Sequence, residues 1–488
     1  MTTDQQTGQR SDEQTGLRSN ALGLLGAATL GAIMLSPALG IYGNYAAMET
    51  TAGRVTSLLF LIAMFIALPT AISYAMVARN MPAAGSAYTW LWQATRPGIG
   101  VWVGWLMKAY YIVVLFLQPI IFGLFFNELV RYFGFTPSNW TYALGVLLVT
   151  ALVMATVYRS INVSARTALL VMAFEMTTIL ALTLTIFVVR GAEGQLTAAP
   201  FNPAAATGGW NAIFQGVLFG ILSFTGFDVI STVAEETRTP RRLVPVATVV
   251  ALLIVGAFWI FCSWAFSIAI SPSRVAGLAE QGLTPITPIA EIFWGRWDII
   301  VTITGLTAAT GTYLAGMTAL GRVVFAMGRD GTLPSWFSYL HPRFQSPWNV
   351  LHAGFALVGI VCILIAAIAG PYNVWIWCGQ STVFFAMMTY LFVNIANFIY
   401  HRRYTAEDFN WLWNGIIPAI GVVVIVYVLY RSFFTSLWGA GFALGQSVVL
   451  FALFWTAVGA AYAFYLARSR PDVLRKESVY QNPDSSSD

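Results

Sequence analysis

Apolar segments long enough to cross a lipid bilayer recur twelve times along this chain, at about 20–47, 55–78, 101–127, 139–158, 165–190, 210–236, 243–270, 297–326, 349–369, 373–400, 413–432 and 437–467. A membrane-spanning helix needs roughly 20 predominantly apolar residues. Backbone polar groups cannot stay unpaired in hydrocarbon, so a chain of this kind is restricted to helices or a closed barrel. Barrel strands run about ten residues and alternate with a period of two. These runs are longer and apolar on all sides, which predicts an all-α membrane protein of twelve transmembrane helices. Charge content agrees: 9% of the 488 residues are charged, against roughly 25% in soluble domains, too few to cover a water-facing surface.

The basic residues are scattered between the apolar runs, a pattern of membrane orientation rather than nucleic-acid binding. With the N-terminus in the cytoplasm, eighteen lie on the inner side: Arg10, Arg18, Arg79, Arg96, Arg159, Arg166, Arg238, Arg241, Arg242, Arg322, Arg329, Arg343, Arg402, Arg403, Arg468, Arg470, Arg475 and Lys476. Six lie outside: Arg54, Arg131, Arg190, Arg274, Arg296 and Arg431. The excess predicts both termini inside the cell, in the plasma membrane. Residues 1–19 and 468–488 are polar and read as disordered cytoplasmic tails, and no connection between runs is long enough for a soluble domain.

Several function classes find no support. Cys262, Cys362 and Cys378 all lie in apolar runs and read as packing residues. His341, His352 and His401 are scattered, with no ligand spacing, so no metal site or cofactor is expected. No phosphate-binding Gly-x-x-x-x-Gly-Lys-Ser/Thr loop points to ATP use. An intramembrane enzyme would need a nucleophile–base pair or a metal cluster, and a channel a filter motif or charge rings.

Two spans are not continuous helix by sequence. The first reads GAIMLSPALGIYGNYAAM, where Pro37 removes a backbone donor and Gly31, Gly40 and Gly43 weaken the helix. The sixth reads FGILSFTGFDVISTVAEE, disrupted around Ser223–Asp228, with the ionisable Asp228 inside the membrane. Interrupted segments at matching places in two halves point to a transporter binding site. A broken helix offers amide N–H groups at the start of one half and carbonyls at the end of the other. The first suit a carboxylate and the second an ammonium, so together they suit a zwitterion. A kink without function is the alternative for either helix alone, since Pro and Gly are common in membrane helices.

These residues resemble a known family. GILSFTGFDVISTVAEETRTPRRLVP is similar to the sixth-span signature of the amino acid–polyamine–organocation (APC) transporters, MPAAGSAYTWL to their re-entrant stretch between spans two and three, and GRVVFAMGRDGTLPSWFSYLHPRFQSPW to the end of span eight and its loop. The likeness covers about residues 20–470. It implies the LeuT/APC-type fold: a 5+5 inverted repeat with broken helices 1 and 6, and two extra C-terminal helices. The repeats would span 20–190 and 210–400, with the extra helices in 413–467. It also implies alternating access around a midplane site.

By the same resemblance Ser36, Pro37, Ala38, Leu39, Gly40 and Ile41 match the segment that holds a substrate carboxylate, although many members read Gly-Ser-Gly-Ile-Phe there. Ser223, Phe224, Thr225 and Gly226 match the segment whose carbonyls take the substrate amine, and Asp228 an acidic position linked to gating and proton coupling. In some proton-coupled relatives the position of Glu175 is a lysine standing in for a sodium ion. Many cation-transporting relatives carry a carboxylate where this chain has Tyr110, which weakens a polyamine reading.

Read from the residues themselves, Glu175 is a carboxylate among apolar and hydroxyl neighbours, at a cost of about 2.5–3.5 kcal/mol on insertion scales. The expectation is that it exchanges a proton or helps hold a cation; the alternative is a neutral carboxyl bonded to a nearby helix. Lys108 either snorkels to the inner surface or pairs with a carboxylate. Thr307, Thr310 and Thr312 offer hydroxyls for a sodium site, so Na+ stays open beside H+ as coupling ion. Glu235, Glu236, Arg238, Arg241 and Arg242, with Arg329 and Asp330, form either an inner gate of ion pairs or a solvated charged loop. Phe224, Phe227 and Tyr313 are expected near the substrate as stacking lids.

The reading is a secondary active transporter, not an enzyme. It moves amino acids across the plasma membrane by proton-coupled symport or exchange, with a polyamine or other organic amine as the alternative substrate. The implied partners are a small-molecule substrate and the lipid bilayer, with no nucleic acid.

Overall fold

The computed structural model describes residues 35–158, 161–232, 234, 237, 239–280, 284–344, 346–439, 441 and 445–475. The first half of span one, both polar tails apart from 468–475, and the gate candidates Glu235, Glu236 and Arg238 lie outside the described residues.

The described chain is helical. Span one continues as α1 (Pro37–Tyr42) and α2 (Asn44–Ala52), followed by α3 (Thr56–Asn80), a short α4 (Ala87–Ala94), α5 (Pro97–Tyr132), α6 (Asn139–Val157) and α7 (Ile161–Ala192). Span six is α8 (Gly209–Phe224) and α9 (Val229–Thr232). Then come α10 (Pro240–Ala269), the connecting α11 (Pro272–Glu280) and α12 (Ile286–Trp294), α13 (Ile299–Arg329), α14 (Trp348–Ala369) and α15 (Pro371–Tyr404). Two more spans close the chain, α16 (Trp411–Leu437) and α17 (Ser447–Ser469). Eleven helices among the described residues are long and apolar enough to cross a membrane. They match the expected runs from the second to the twelfth, and the remaining run is span one itself. Proline opens α5, α10 and α15, where its missing N–H costs nothing.

The packing follows the repeat. Span two (α3) lies along span seven (α10), span three (α5) along span eight (α13), and span four (α6) against span nine (α14). These three spans therefore pair with their counterparts in the other half, as an internal two-fold axis requires. α1, α2 and α8 sit with α3 and α10 in one bundle; α5, α6, α13 and α14 form a second group. α7 touches both α10 and α13, and α15 touches both α3 and α5, so these two bridge the groups. α16 and α17 pack on the outside, against α15. Basic residues stand at both ends: Arg79, Arg329, Arg402, Arg403 and Arg468 in last turns at one face, Arg131 and Arg190 at the other.

Candidate functional site

The interruption of span one is concentrated in one residue. Ser36 has φ 45° and ψ 85°, the left-handed region that a side chain disfavours. Its hydroxyl accepts from the Leu39 N–H at 3.2 Å, and Pro37 occupies the first helical position with no N–H to satisfy. Ser36 thus caps α1. The expected break over 36–41 is sharper in the structure: the turn is at Ser36, and Pro37–Ile41 are already wound into α1.

Span six opens over four residues. α8 stops at Phe224, Thr225–Asp228 form a turn, and α9 resumes at Val229. Gly226 takes φ 117°, a conformation that only glycine adopts without strain. Thr225 closes the helix end, its N–H donating to the carbonyls of Ile221 (3.0 Å) and Leu222 (3.1 Å) and its hydroxyl to Leu222 (2.6 Å).

Asp228 sits at the far end of that turn, 1% exposed, inside a ring of phenols. Oδ2 accepts from the Tyr111 O–H at 2.5 Å. Oδ1 accepts from Tyr390 at 2.9 Å, Tyr110 at 3.2 Å and the Gly226 N–H at 3.2 Å. All four contacts are donations, the pattern suited to an acceptor-only carboxylate. Hydrogen bonds to a charged group contribute about 1.5–3 kcal/mol each, so three phenols offset an insertion cost of about 2.5–3.5 kcal/mol. Tyr110 and Tyr111 come from span three and Tyr390 from span ten, so the ring ties the break in span six to both neighbouring parts of the structure. Phe227 lies in the same aromatic cluster, 5.0 Å from Tyr390 and 5.5 Å from Tyr74 between ring centroids.

Trp259 of α10 binds the two breaks from the other side. Its indole N–H donates to the Pro37 carbonyl at 2.9 Å, and its ring packs edge-on against Phe224 (4.9 Å) and stacks on Phe60 (5.6 Å). A Cβ added at Gly40 would run into this indole, so glycine is required by close approach. Asn44 adds a direct link, its Nδ2 donating to Ser223 Oγ at 2.6 Å.

Between the breaks and α5 lies a cavity of about 50 Å³, enough for a few waters. Ser36, Leu39, Gly40, Ser223 and Thr225 line it, together with Asn44, Gln118, Thr312 and Trp375. Among the described residues no charged side chain lines it. Pro37, Ala38, Ile41, Phe224, Gly226 and Phe227 are buried beside it without lining it. Of the three rings expected as lids, Phe224 packs on Trp259, Phe227 on the tyrosines, and Tyr313 on Phe355 of α14. The ring at the cavity is Trp375 of α15, which nothing in its local sequence sets apart.

The other singled-out residues lie elsewhere. Glu175 is 4% exposed and accepts from the Thr307 hydroxyl at 3.1 Å, joining α7 to α13. One turn away, Thr304 shares a hydrogen bond of 2.8 Å with Tyr42 of α1. Thr310 and Thr312 donate their hydroxyls to carbonyls of their own helix, and only Thr312 lines the cavity. Lys108 lies 3.6 Å over the Trp105 ring, one turn back along α5, and makes no ion pair among the described residues. Arg329 lies 3.7 Å from Asp330.

Sequence reasoning missed two buried carboxylates. Glu49 in α2 is 1% exposed and accepts from Thr56 (2.8 Å) and Ser267 (3.3 Å). Glu128 near the end of α5 accepts from Thr284 N–H (3.0 Å) and from the hydroxyls of Thr284 and Thr287 (both 2.5 Å). Each lies near the end of an apolar run, where a charge reads as an orientation signal. Each has hydroxyl partners that are close in space and, Thr56 apart, far in sequence.

Comparison with known proteins places the chain in a family and matches its fold. The profile of the family described as "Amino acid permease" matches residues 25–468. The low-affinity putrescine importer PlaP of Escherichia coli is 27% identical, over 86% of this chain and 88% of its own. The branched-chain amino acid permease BcaP of Lactococcus lactis is 24% identical, over 91% and 93%. An uncharacterized transporter of Mycobacterium tuberculosis is 30% identical, over 71% and 74%. Among solved structures, MhsT in complex with L-phenylalanine superposes with a TM-score of 0.57 at 16% identity, over 83% of this chain and 98% of its own, a likeness of fold.

Proposed function

The chain belongs to the amino acid permease family, and from that premise we propose that it carries neutral α-amino acids across the plasma membrane by alternating access, coupled to protons. The transport of amino acids by a secondary mechanism follows from the family and the fold. The observation that carries the finer reading is the uncharged lining of the cavity between the two breaks. A zwitterion finds its partners in the ends of α1 and α8: amide N–H groups for a carboxylate, carbonyls for an ammonium. A second positive charge on the substrate finds no counter-charge there, because Asp228, the carboxylate of span six, is enclosed by Tyr110, Tyr111 and Tyr390.

The mechanism rests on which contacts join which group of helices. Trp259, Pro37, Phe224 and the Asn44–Ser223 pair all lie within the bundle of α1, α2, α3, α8 and α10, so that bundle moves as one body. The tyrosines on Asp228 reach across to α5 and α15. Rocking the bundle against α5 and α13 opens the cavity, breaks the Asp228 clasp and leaves the Trp259 contacts intact. A cavity of about 50 Å³ must widen in this way before it admits an amino acid. Glu175, between α7 and α13, is the second carboxyl placed to follow the motion by gaining or losing a proton. The hydroxyls of span eight leave sodium as the competing coupling ion. Each repeat, 20–190 and 210–400, contributes spans to both the rocking bundle and the group it rocks against. The excess of basic residues at the face of Arg79, Arg329 and Arg402 supports a cytoplasmic position for that face.

The likeness to a putrescine importer favours a diamine carrier as a second reading. A diamine would have to open the tyrosine ring to reach Asp228. Uptake into proteoliposomes of labelled amino acids and diamines, under imposed proton or sodium gradients, separates the readings. Accumulation of neutral amino acids driven by a proton gradient is expected. Accumulation of diamines alone overturns the substrate, and dependence on sodium alone overturns the coupling.

A further inference from the structure

Two buried amides line the cavity, and their oxygens have no partner among the described residues. Asn44 is 4% exposed and Gln118 is 6% exposed; Asn44 Oδ1 and Gln118 Oε1 accept no hydrogen bond. The orientation of Asn44 is fixed by its neighbours. Ser223 has one hydroxyl proton, and it is directed at the carbonyl of Phe219 (3.1 Å) or Gly40 (3.4 Å). The Ser223 oxygen therefore accepts, its donor is Asn44 Nδ2 at 2.6 Å, and Oδ1 is the atom left for the cavity. Gln118 precedes Pro119, which withdraws one backbone donor from α5 at this level. On α5 the wall beside Gln118 is apolar, formed by Val114, Leu117 and Ile121.

Buried acceptors without donors are costly and uncommon in native proteins. Two in one cavity mark a place built for a ligand that brings its own N–H groups. Neither amide carries charge, and among the described residues no charged side chain lines the cavity, so the ligand group is neutral.

We propose that Asn44 and Gln118 form a side-chain subsite for amino acids that end in a primary carboxamide. Such a group has two N–H donors and one carbonyl. One N–H goes to Asn44 Oδ1 and the other to Gln118 Oε1, while the Gln118 amide N–H donates back to the substrate carbonyl. Every polar atom of the substrate side chain is then paired, and its methylenes lie against Val114, Leu117 and Ile121. An aliphatic side chain of similar size leaves both amides unpaired, and a cationic one finds acceptors without a counter-charge. This inference rests on the amino acid reading above.

The test is competition for uptake in proteoliposomes carrying the full chain, with glutamine, asparagine, leucine and putrescine as probes. Glutamine or asparagine is expected to compete with a KM about tenfold or more below that of leucine. In Gln118→Leu that ratio collapses or inverts. A wild-type protein that transports leucine as well as or better than both carboxamides overturns the subsite but leaves the amino acid reading standing. Transport of putrescine and of no amino acid overturns both. Should Gln118→Leu fail to fold, thermal stabilisation of the wild-type protein in detergent decides. Equal concentrations of glutamine must raise the melting temperature more than leucine does, and an equal or smaller rise overturns the proposal.

Discussion

Trp259 holds Pro37 through a single hydrogen bond, indole N–H to carbonyl at 2.9 Å, between residues 222 positions apart. The Pro37 carbonyl lies in the first turn of α1, and span seven supplies it with a side-chain donor. Replacing the indole by a ring without N–H removes this bond, at a net cost of about 0.5–1.5 kcal/mol. Removing the ring adds a void, for a total of about 3–5 kcal/mol. The melting temperature in detergent is expected to fall from wild type to Trp259→Phe to Trp259→Ala. A phenylalanine variant as stable as the wild type would show that the bond contributes nothing.

Gly40 lies under the same indole. A methyl group there overlaps the ring, so Gly40→Ala must displace either Trp259 or α1. Uptake is expected to fall well below half of wild type. Gly98→Ala, in open space at the start of α5, serves as the control for a glycine replacement without a clash. Normal uptake by Gly40→Ala would mean that the close approach is dispensable.

The three phenols on Asp228 differ in length, 2.5 Å for Tyr111, 2.9 Å for Tyr390 and 3.2 Å for Tyr110. Phenylalanine at each position removes one donor, and stability should decline most at Tyr111 and least at Tyr110, by about 1.5–3 kcal/mol at the upper end. Denaturation of the three purified variants gives the order. Asp228→Asn should cost more than any of them, because an amide turns one acceptor into a donor that faces phenol protons. An order with Tyr110 first would place the main contact elsewhere.

Glu175→Gln keeps the shape and the acceptor for Thr307 while removing the titratable proton. If Glu175 moves a proton in the cycle, the variant exchanges substrate across the membrane but no longer accumulates it against a gradient, and its rate becomes flat between about pH 5 and 8. Uptake and counterflow in proteoliposomes at stepped pH distinguish these. Unchanged uphill accumulation with an unchanged pH profile removes Glu175 from the coupling.

The spans were legible because hydrocarbon imposes length and apolarity on every one of them. The breaks were legible because Pro37 and Gly226 act through the backbone, within a few residues of themselves. What surrounds the breaks was less so. Tyr111 stood beside Tyr110 in an aromatic run, and only the fold brings both to Asp228. Trp259 was one of eighteen tryptophans, most of which such a chain uses for packing or interfaces. Asn44 and Gln118 were visible as amides inside apolar runs, a signal that deserved the weight given to Glu175. Their alignment on one cavity depends on three helices meeting, which spacing along one strand of sequence cannot express.

The pairing of spans two, three and four with spans seven, eight and nine carries a consequence for the energy of the two end states. A displacement that parts the bundle of α3 and α10 from the group of α5 and α13 at one membrane face has an image under the internal axis that parts them at the other. The two images use the same class of contact, so neither direction of opening needs its own machinery or starts from a deep energetic disadvantage. What separates them is left to the few places where the halves differ in chemistry, such as a carboxyl facing tyrosines in one half and a serine-capped proline in the other. Small differences there, of the size of one or two hydrogen bonds, are enough to decide which way the protein faces at rest.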